Sequence, residues 1–291
     1  MTSKKIKIIV GGVHEFTNFP FLYALTRGWF LKAGIDLTWI IYPSGSAPLA
    51  IALDTDAIQF AVILTDSAIG SISKGMPITL VSPYVLSPLN WVFHVNSNSK
   101  IKKPEEMIGK RFAISKYGSG GELAAKIWAY QNGYQKLSDK DFVVVNNMEG
   151  AELALKNNLA DVFPWEYLTA LPLVESGILK PICNFETPYT PFSIACSKKM
   201  AVENPELVKK VLEITYKSAS KIKSLSNASK IISATYNRNL LEVEKSFNKN
   251  IWANNSNFEE GMIEKTVEML SMSDAIKNIH LKENDIVTLL S

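Results

Sequence analysis

A chain of 291 residues that is 47% hydrophobic can bury a large core and, by length, divides into about two domains. Lys and Arg number 31 against 28 Asp and Glu, and the net charge of +3 is too small and dispersed to point to nucleic acid or an anionic membrane as a partner. No run approaches the roughly 18 apolar residues of a membrane span, the first residues are too sparsely apolar for a signal peptide, and two cysteines, Cys183 and Cys196, fit a reducing compartment, so a cytoplasmic location is expected unless a leader has been removed.

In chain order, residues 5–10 read as a buried strand, followed by the polar loop Gly11-Gly-Val-His-Glu-Phe-Thr-Asn-Phe-Pro20. A helix follows, with Thr17 or Asn18 as its cap and Pro20 in its first turn. Leu22, Leu25 and Trp29 are its expected inner face, and Gly34 its stop. Residues 35–42 form a strand, Pro43-Ser44-Gly45-Ser46 a small-residue turn, and Leu49 and Leu53 mark the next helix. The pattern repeats with an apolar strand at 58–63, the turn and cap Thr65-Asp66-Ser67, a short helix ended by Gly75, and a strand at 78–82. Strand ends in this third thus carry Ser, Thr, Asp or Gly, at the edge where open α/β sheets bind ligands.

Residues 91–95 are another strand, and the polar stretch 96–103 is where the chain is expected to leave one domain for another. Residues 111–128 then read as strand, glycine turn and helix. Phe112, Ala113 and Ile114 are continuously apolar, while Leu123, Ile127 and Tyr130 recur at helical spacing. Between them, Gly118-Ser119-Gly120-Gly121 lets the backbone turn through positive φ and leaves the N–H groups of the following helix facing a ligand. Such turns also occur without any ligand. This one lacks the Gly-Lys-Ser/Thr end of a phosphate loop, and Leu123 stands where a dinucleotide fingerprint has its last glycine, so nucleotide chemistry is not expected.

Strands near Val143 and Val162 continue the second unit, and a strand at 192–197 follows Thr187-Pro-Tyr-Thr-Pro191. From Pro205 onward the pattern is helical only, at 206–224, 229–236, 240–251 and 258–270. Alternating strands and helices predict an α/β fold with mixed, mainly parallel sheets flanked by helices. Crossings near 94 and 192 predict an inserted domain: lobe I from 1–93 and 193–291, lobe II from 94–192.

The stretches Tyr42-Pro-Ser-Gly-Ser, Lys102-Lys-Pro-Glu-Glu-Met-Ile-Gly-Lys-Arg111, Lys116-Tyr-Gly-Ser-Gly, Val162-Phe-Pro-Trp-Glu166 and Thr187-Pro-Tyr-Thr-Pro191, in this order, resemble a known family. Nearly the whole chain is similar to type 2 periplasmic-binding-protein-like proteins of the alkanesulfonate-binding and thiamine-pyrimidine-synthase-like group, most closely to an orphan branch with a leaderless fungal member. The resemblance implies two lobes around a cleft for a small molecule. By position, that cleft is lined by Val13, His14, Glu15, Ser44, Gly45, Ser46, Thr65, Asp66, Ser67, Lys116, Tyr117, Gly118, Ser119, Gly120, Gly121, Trp165, Glu166 and Tyr189. Each has a plainer reading too: Asp66 as a helix cap, Glu166 as a carboxylate at a helix N-terminus, His14 as a loop residue, the serines and glycines as turn formers.

The pyrimidine synthases of this group use a lysine that holds a pyridoxal ring, a histidine consumed as substrate, and a cysteine-rich iron segment. Here Ile63 and Ser67 align with that lysine and histidine, and no cysteine-rich run exists. The resemblance therefore implies no catalytic residue, no metal and no cofactor, with a divergent enzyme of thiamine-pyrimidine or related vitamin biosynthesis as the alternative. The expected function is a solute-binding protein that closes by hinge motion, with no transporter partner if cytosolic. Glu15, Asp66 and Glu166 facing essentially one cation, Lys116, together with the flat faces of Tyr117, Trp165 and Tyr189, predict a zwitterionic or cationic heteroaromatic ligand of the vitamin kind.

Overall fold

The computed structural model describes residues 5–277 and 280–289. Strand β1 (Ile6–Gly12) lies parallel to β2 (Ile35–Ile41), in register from Ile6 opposite Ile35 to Gly12 opposite Ile41. It also pairs in parallel with β3 (Phe60–Leu64), an entirely buried apolar strand. Between β1 and β2 the expected single helix breaks at Gly28, whose φ of 66° is left-handed, into α1 (Phe19–Thr26) and α2 (Trp29–Lys32). The buried side chains are Phe19, Phe21, Tyr23, Ala24 and Phe30, while the expected Leu22, Leu25 and Trp29 are only half-buried. The break rotates the second segment, and a later helix covers the outer side of α1, so a single apolar stripe does not describe its burial.

Helices α3 (Ser46–Asp54) and α4 (Thr65–Ser73) follow β2 and β3, and β4 (Ile78–Val85) completes this part of the sheet. The chain then enters a second sheet. There β5 (Asn90–Asn96) is central, with β6 (Phe112–Ile114), α5 (Gly120–Gln131), β7 (Phe142–Val144), α6 (Met148–Lys156), β8 (Phe163–Glu166), α7 (Tyr167–Glu175) and β9 (Leu179–Glu186) around it. Strand β5 is antiparallel to both β8 and β9, and β6 and β7 form a separate parallel pair. Strand β9 was not expected from the sequence. Pro181 interrupts it and its side chains do not alternate, but as an edge strand it tolerates the missing N–H.

Strand β10 (Phe192–Ser197) returns to the first sheet and inserts antiparallel between β3 and β4, giving the order β2-β1-β3-β10-β4. Helices α8 (Lys198–Glu203), α9 (Pro205–Lys223), α10 (Ala228–Tyr236), α11 (Leu240–Lys249), α12 (Met262–Met272) and α13 (Glu283–Ile286) complete the chain. This C-terminal region is anchored by tertiary hydrogen bonds: Ser218 Oγ on α9 donates to Pro20 O at 2.7 Å, and Trp252 Nε1, between α11 and α12, donates to Thr17 O at 2.8 Å. The architecture is two-lobed, one lobe around each sheet system. The chain passes between sheets at 86–89 and 187–191, so the boundary expected at 93/94 falls inside β5, and the one at 192/193 just after the start of β10. The two passages are bonded to each other, Leu89 N to Thr187 Oγ1 at 2.9 Å and Thr187 N to Leu89 O at 3.1 Å. A paired double crossing is the kind of connection at which two lobes can hinge.

Candidate functional site

The loop after β1, the turn before α3, the start of α5, and strands β5 and β8 meet between the lobes and enclose two adjoining chambers. The inner one, about 40 Å³, is lined by Val13, Glu15, Gly45, Ser46, Leu64, Trp91, Ser115, Ser119, Gly120, Gly121, Trp165 and Glu166 among others. The outer one, about 360 Å³, is lined by His14, Asn90, Thr169, Tyr236, Arg238, Glu242, Lys245, Lys249 and Asn250 among others. Glu15, Leu89, Glu166 and Phe192 border both. The outer volume lies within the range of ligand pockets, whereas the inner one holds a water or a small substituent.

Backbone conformation builds the inner walls. Gly45 has φ 80° and ψ −150°, which only glycine adopts without strain, and this hands the chain to α3 so that Ser46 Oγ accepts from Leu64 N at 3.1 Å. At the start of α5, Gly118 N donates to Glu122 Oε2 at 2.5 Å, and Glu122 pairs with Lys126 at 2.8 Å, both side chains buried. Glu122 therefore closes its own turn rather than facing the cleft. Gly120 packs so tightly that an added Cβ would lie 2.2 Å from Leu64 Cδ1 and 2.8 Å from Trp91 Cζ2. The lobes are thus closed on each other at this turn. Three buried polar atoms on the inner wall, Ser119 Oγ, Trp91 Nε1 and Trp165 Nε1, have no hydrogen-bond partner. Buried donors of this kind cost about 1–3 kcal/mol each unless something satisfies them, which makes them suited to a ligand.

Electrostatics distinguish the border residues. Burial, and secondly the neighbouring Glu166, push the Glu15 carboxyl up to about 8, with Arg238 partly opposing. Burial also raises Glu166, against hydrogen bonds from the start of α7: Oε1 accepts from Leu168 N at 3.0 Å and Oε2 from Thr169 N at 2.8 Å. Glu166 is thus a helix cap as well as a cleft residue. Among the described residues the Glu15 carboxyl has no hydrogen-bond or ion-pair partner. Burial and Arg238 lower His14, whose ring lies 4.8 Å from that of Tyr236.

Of the residues expected from the sequence, Val13, Glu15, Gly45, Ser46, Ser119, Gly120, Gly121, Trp165 and Glu166 line the inner chamber, and His14 the outer. Ser44, Thr65, Asp66, Ser67, Lys116, Tyr117, Gly118 and Tyr189 line neither. Thr65 Oγ1 bonds Ser193 Oγ at 2.7 Å, and Tyr189 OH donates to Asp66 Oδ2 at 2.7 Å, so this group ties α4 to the return strand. Asp66 lies in the first turn of α4, not at its cap, with Oδ1 accepting from Ser67 N at 2.6 Å. Burial raises it to about 6 despite these bonds. Tyr117 is 48% exposed and donates to Asp139 O at 3.3 Å. The cations lining the outer chamber are Arg238, Lys245 and Lys249, not Lys116. Ile63 is fully buried in β3.

Replacing Tyr189 with Phe should therefore lower stability by about 1–3 kcal/mol, because Asp66 keeps its buried carboxyl and loses its donor. Urea unfolding should show a lower midpoint at unchanged slope, with ligand affinity retained; a loss of affinity at wild-type stability would instead make Tyr189 a cleft residue.

Sequence reasoning did not assign Leu89, Trp91, Ser115, Phe192, Tyr236, Arg238 or Asn250 to the site. Pro88-Leu89-Asn90 before an apolar strand signals a crossing, and a crossing borders the cleft, so Trp91 was within reach of the pattern. Arg238 was not, since nothing local marks the turn between α10 and α11 as facing β1. Among the described residues no group of three or more His, Cys, Asp or Glu could hold a metal ion, and no helix is long and apolar enough to cross a membrane.

Residues 15–224 match the family model described as NMT1/THI5 like. No curated protein is significantly similar in sequence. Among solved structures, the Candida albicans CA3427 gene product, described as defining a family with the generic periplasmic-binding-protein fold, is 22% identical over 99% of this chain and 97% of that one, with a TM-score of 0.89. The alkanesulfonate-binding protein SsuA from Xanthomonas axonopodis pv. citri, bound to MOPS, is 15% identical over 98% and 99%, with a TM-score of 0.82. SsuA from Escherichia coli is 12% identical over 98% and 92%, with a TM-score of 0.68. These likenesses show that the fold is that of periplasmic binding proteins.

Proposed function

This chain belongs to the NMT1/THI5-like family, and on that premise we propose that it is a solute-binding protein whose lobes close on a small cationic or zwitterionic heteroaromatic molecule. Family and fold support a binding role. The observation that carries the ligand class is the pair Glu15 and Glu166, two carboxyls at one border whose ionisation is disfavoured and which no cation meets at ion-pair distance. A protonated amine or ring nitrogen placed between them removes that cost. The indole N–H groups of Trp91 and Trp165 and the Ser119 hydroxyl then supply the polar edge that a heteroaromatic ring needs, and the indoles supply its apolar wall. The Xanthomonas relative was captured with MOPS, a sulfonate. A sulfonate in this inner chamber would face two carboxyls.

The test is thermal denaturation against amine-bearing pyrimidines and pyridines, with ethanesulfonate as the anionic control, preceded by native mass spectrometry of any molecule that copurifies. At about 100 times its dissociation constant a true ligand stabilises the fold by roughly 2.7 kcal/mol. Cationic rings should raise the melting temperature more than ethanesulfonate does. Better stabilisation by the sulfonate than by any cationic ring would overturn the ligand class and leave the family and fold.

A further inference from the structure

The outer chamber has chemistry that a cationic ring does not use. Arg238 borders it with a half-buried guanidinium that makes no hydrogen bond or ion pair among the described residues. Its charge reaches Glu166, whose oxygens accept from the α7 amides, and Glu15, but neither carboxyl forms an ion pair with it. Nor is the arginine loosely placed. Asn237, at φ 50°, ends α10 in the left-handed conformation, and Asn239 caps α11 by accepting from Leu241 N at 3.0 Å, so Arg238 is held between two helix ends.

Two further side chains on this wall are unsatisfied. Asn250 Nδ2 and Tyr236 OH have no partner, although the residues are 6% and 3% exposed. The other charges do not supply the missing acceptor. Lys245 pairs with Glu242 at 2.6 Å, and Glu242 also accepts from Tyr167 OH at 3.2 Å. Lys249 adds a second cation, Glu186 an acid at the solvent side, and His14 is held towards its neutral form. The chamber thus has an unfilled acceptor, Glu15, at its inner border and a surplus of donors around Arg238.

We propose that Arg238 receives an anionic group, a carboxylate or a phosphate, carried by the same ligand, so that the molecule lies with its cationic part towards Glu15 and Glu166 and its anionic arm in the outer chamber. This inference rests on the reading above for the cationic part and adds the ligand's polarity and orientation. A guanidinium presents two parallel N–H groups to either anion, and the Asn250 amide is a further donor on the same wall.

The experiment uses the full chain as wild type, Arg238→Gln and Arg238→Lys, titrated separately with inorganic phosphate, acetate and 4-(aminomethyl)pyridine and read by calorimetry. Phosphate or acetate should bind saturably to the wild type, at least tenfold more weakly to the Gln variant, and with intermediate affinity to the Lys variant. The pyridine should bind the Gln variant more tightly than the wild type, because a repelling charge has been removed. A merely structural arginine would weaken both probes together. The proposal is overturned if the wild type binds neither anion saturably, or if anion affinity survives Arg238→Gln, which would seat the anion at the Gly120-Gly121 turn. If the anions depend on Arg238 but no cationic ring binds any form, this inference stands and the ligand class proposed above falls.

Discussion

Replacing Gly120 with alanine should weaken ligand binding by more than it lowers the stability of the unliganded protein. The added Cβ would lie 2.2 Å from Leu64 Cδ1 and 2.8 and 2.9 Å from two atoms of the Trp91 indole. Leu64 ends β3 in one lobe, whereas Gly120 opens α5 in the other, so the overlap with Leu64 exists only when the lobes are closed; Trp91, on β5, shares a lobe with Gly120 and meets the Cβ in either form. The Leu64 methyl is the end of a flexible side chain, but it is 8% exposed, and the rigid indole behind it is 5% exposed, so neither has room to move aside. Gly120 is not among the residues with left-handed φ, so alanine is acceptable to the backbone in an open form. Overpacking costs about 1–3 kcal/mol, which as a penalty on the closed state weakens binding roughly 5- to 150-fold. Calorimetric titration with any ligand found by thermal shift measures this, and small-angle scattering should show a ligand-dependent decrease in radius for the wild type only. Unchanged affinity in the variant would mean that the ligand does not require the closed arrangement.

Between pH 6.5 and 8 the ligand-free protein should lose stability as the pH rises, and Glu15→Gln should remove the loss. Glu15 titrates at about 8 in the folded protein against a usual value of 4.5, because burial and then Glu166 disfavour its charge. Across that window the folded state keeps a proton that the unfolded chain has released, so stability falls with rising pH and levels off above about 8. Asp66, raised to about 6, has the same sign but is spent below the window. His94, which burial lowers to about 4, has the opposite sign, adding stability as pH rises from 4 to 6.5, and is likewise spent. The loss over 1.5 pH units is at most about 2 kcal/mol, less whatever solvent in the outer chamber screens. Since the Glu15 carboxyl has no hydrogen-bond partner to lose, Glu15→Gln should be the more stable protein at pH 8. Melting temperatures at pH 6.5 and 8 check the slope. Binding of a cationic ring at pH 7 should also release a proton, seen as a binding enthalpy that varies with the ionisation enthalpy of the buffer. A flat wild-type profile, or an equal slope in the variant, would show that Glu15 ionises normally in the cleft.

How far the site could be read from the sequence depended on whether a residue's role was local. Gly45 and the Gly118–Gly121 turn were legible because only glycine suits a positive φ or so close an approach, and both turns border or support the inner chamber. Glu15 and Glu166 stood at strand ends, where alternating strands and helices direct side chains towards the cleft. Asp66 and Tyr189 stood at equally suggestive positions and instead bond each other. A carboxylate at a helix start is written identically whether it faces a ligand or a tyrosine 123 residues away.

By itself the sequence determined the α/β alternation and the family, because strand and helix periodicity and glycine turns are short-range properties. Only the tertiary structure decided which polar groups remain unsatisfied at the cleft. Closure of one lobe on the other packs Leu64 against Gly120, and packing of the C-terminal helices brings Arg238 to the chamber that Glu15 borders. Those contacts join segments distant in the chain, and their free energy comes from burying surfaces that neither segment specifies alone.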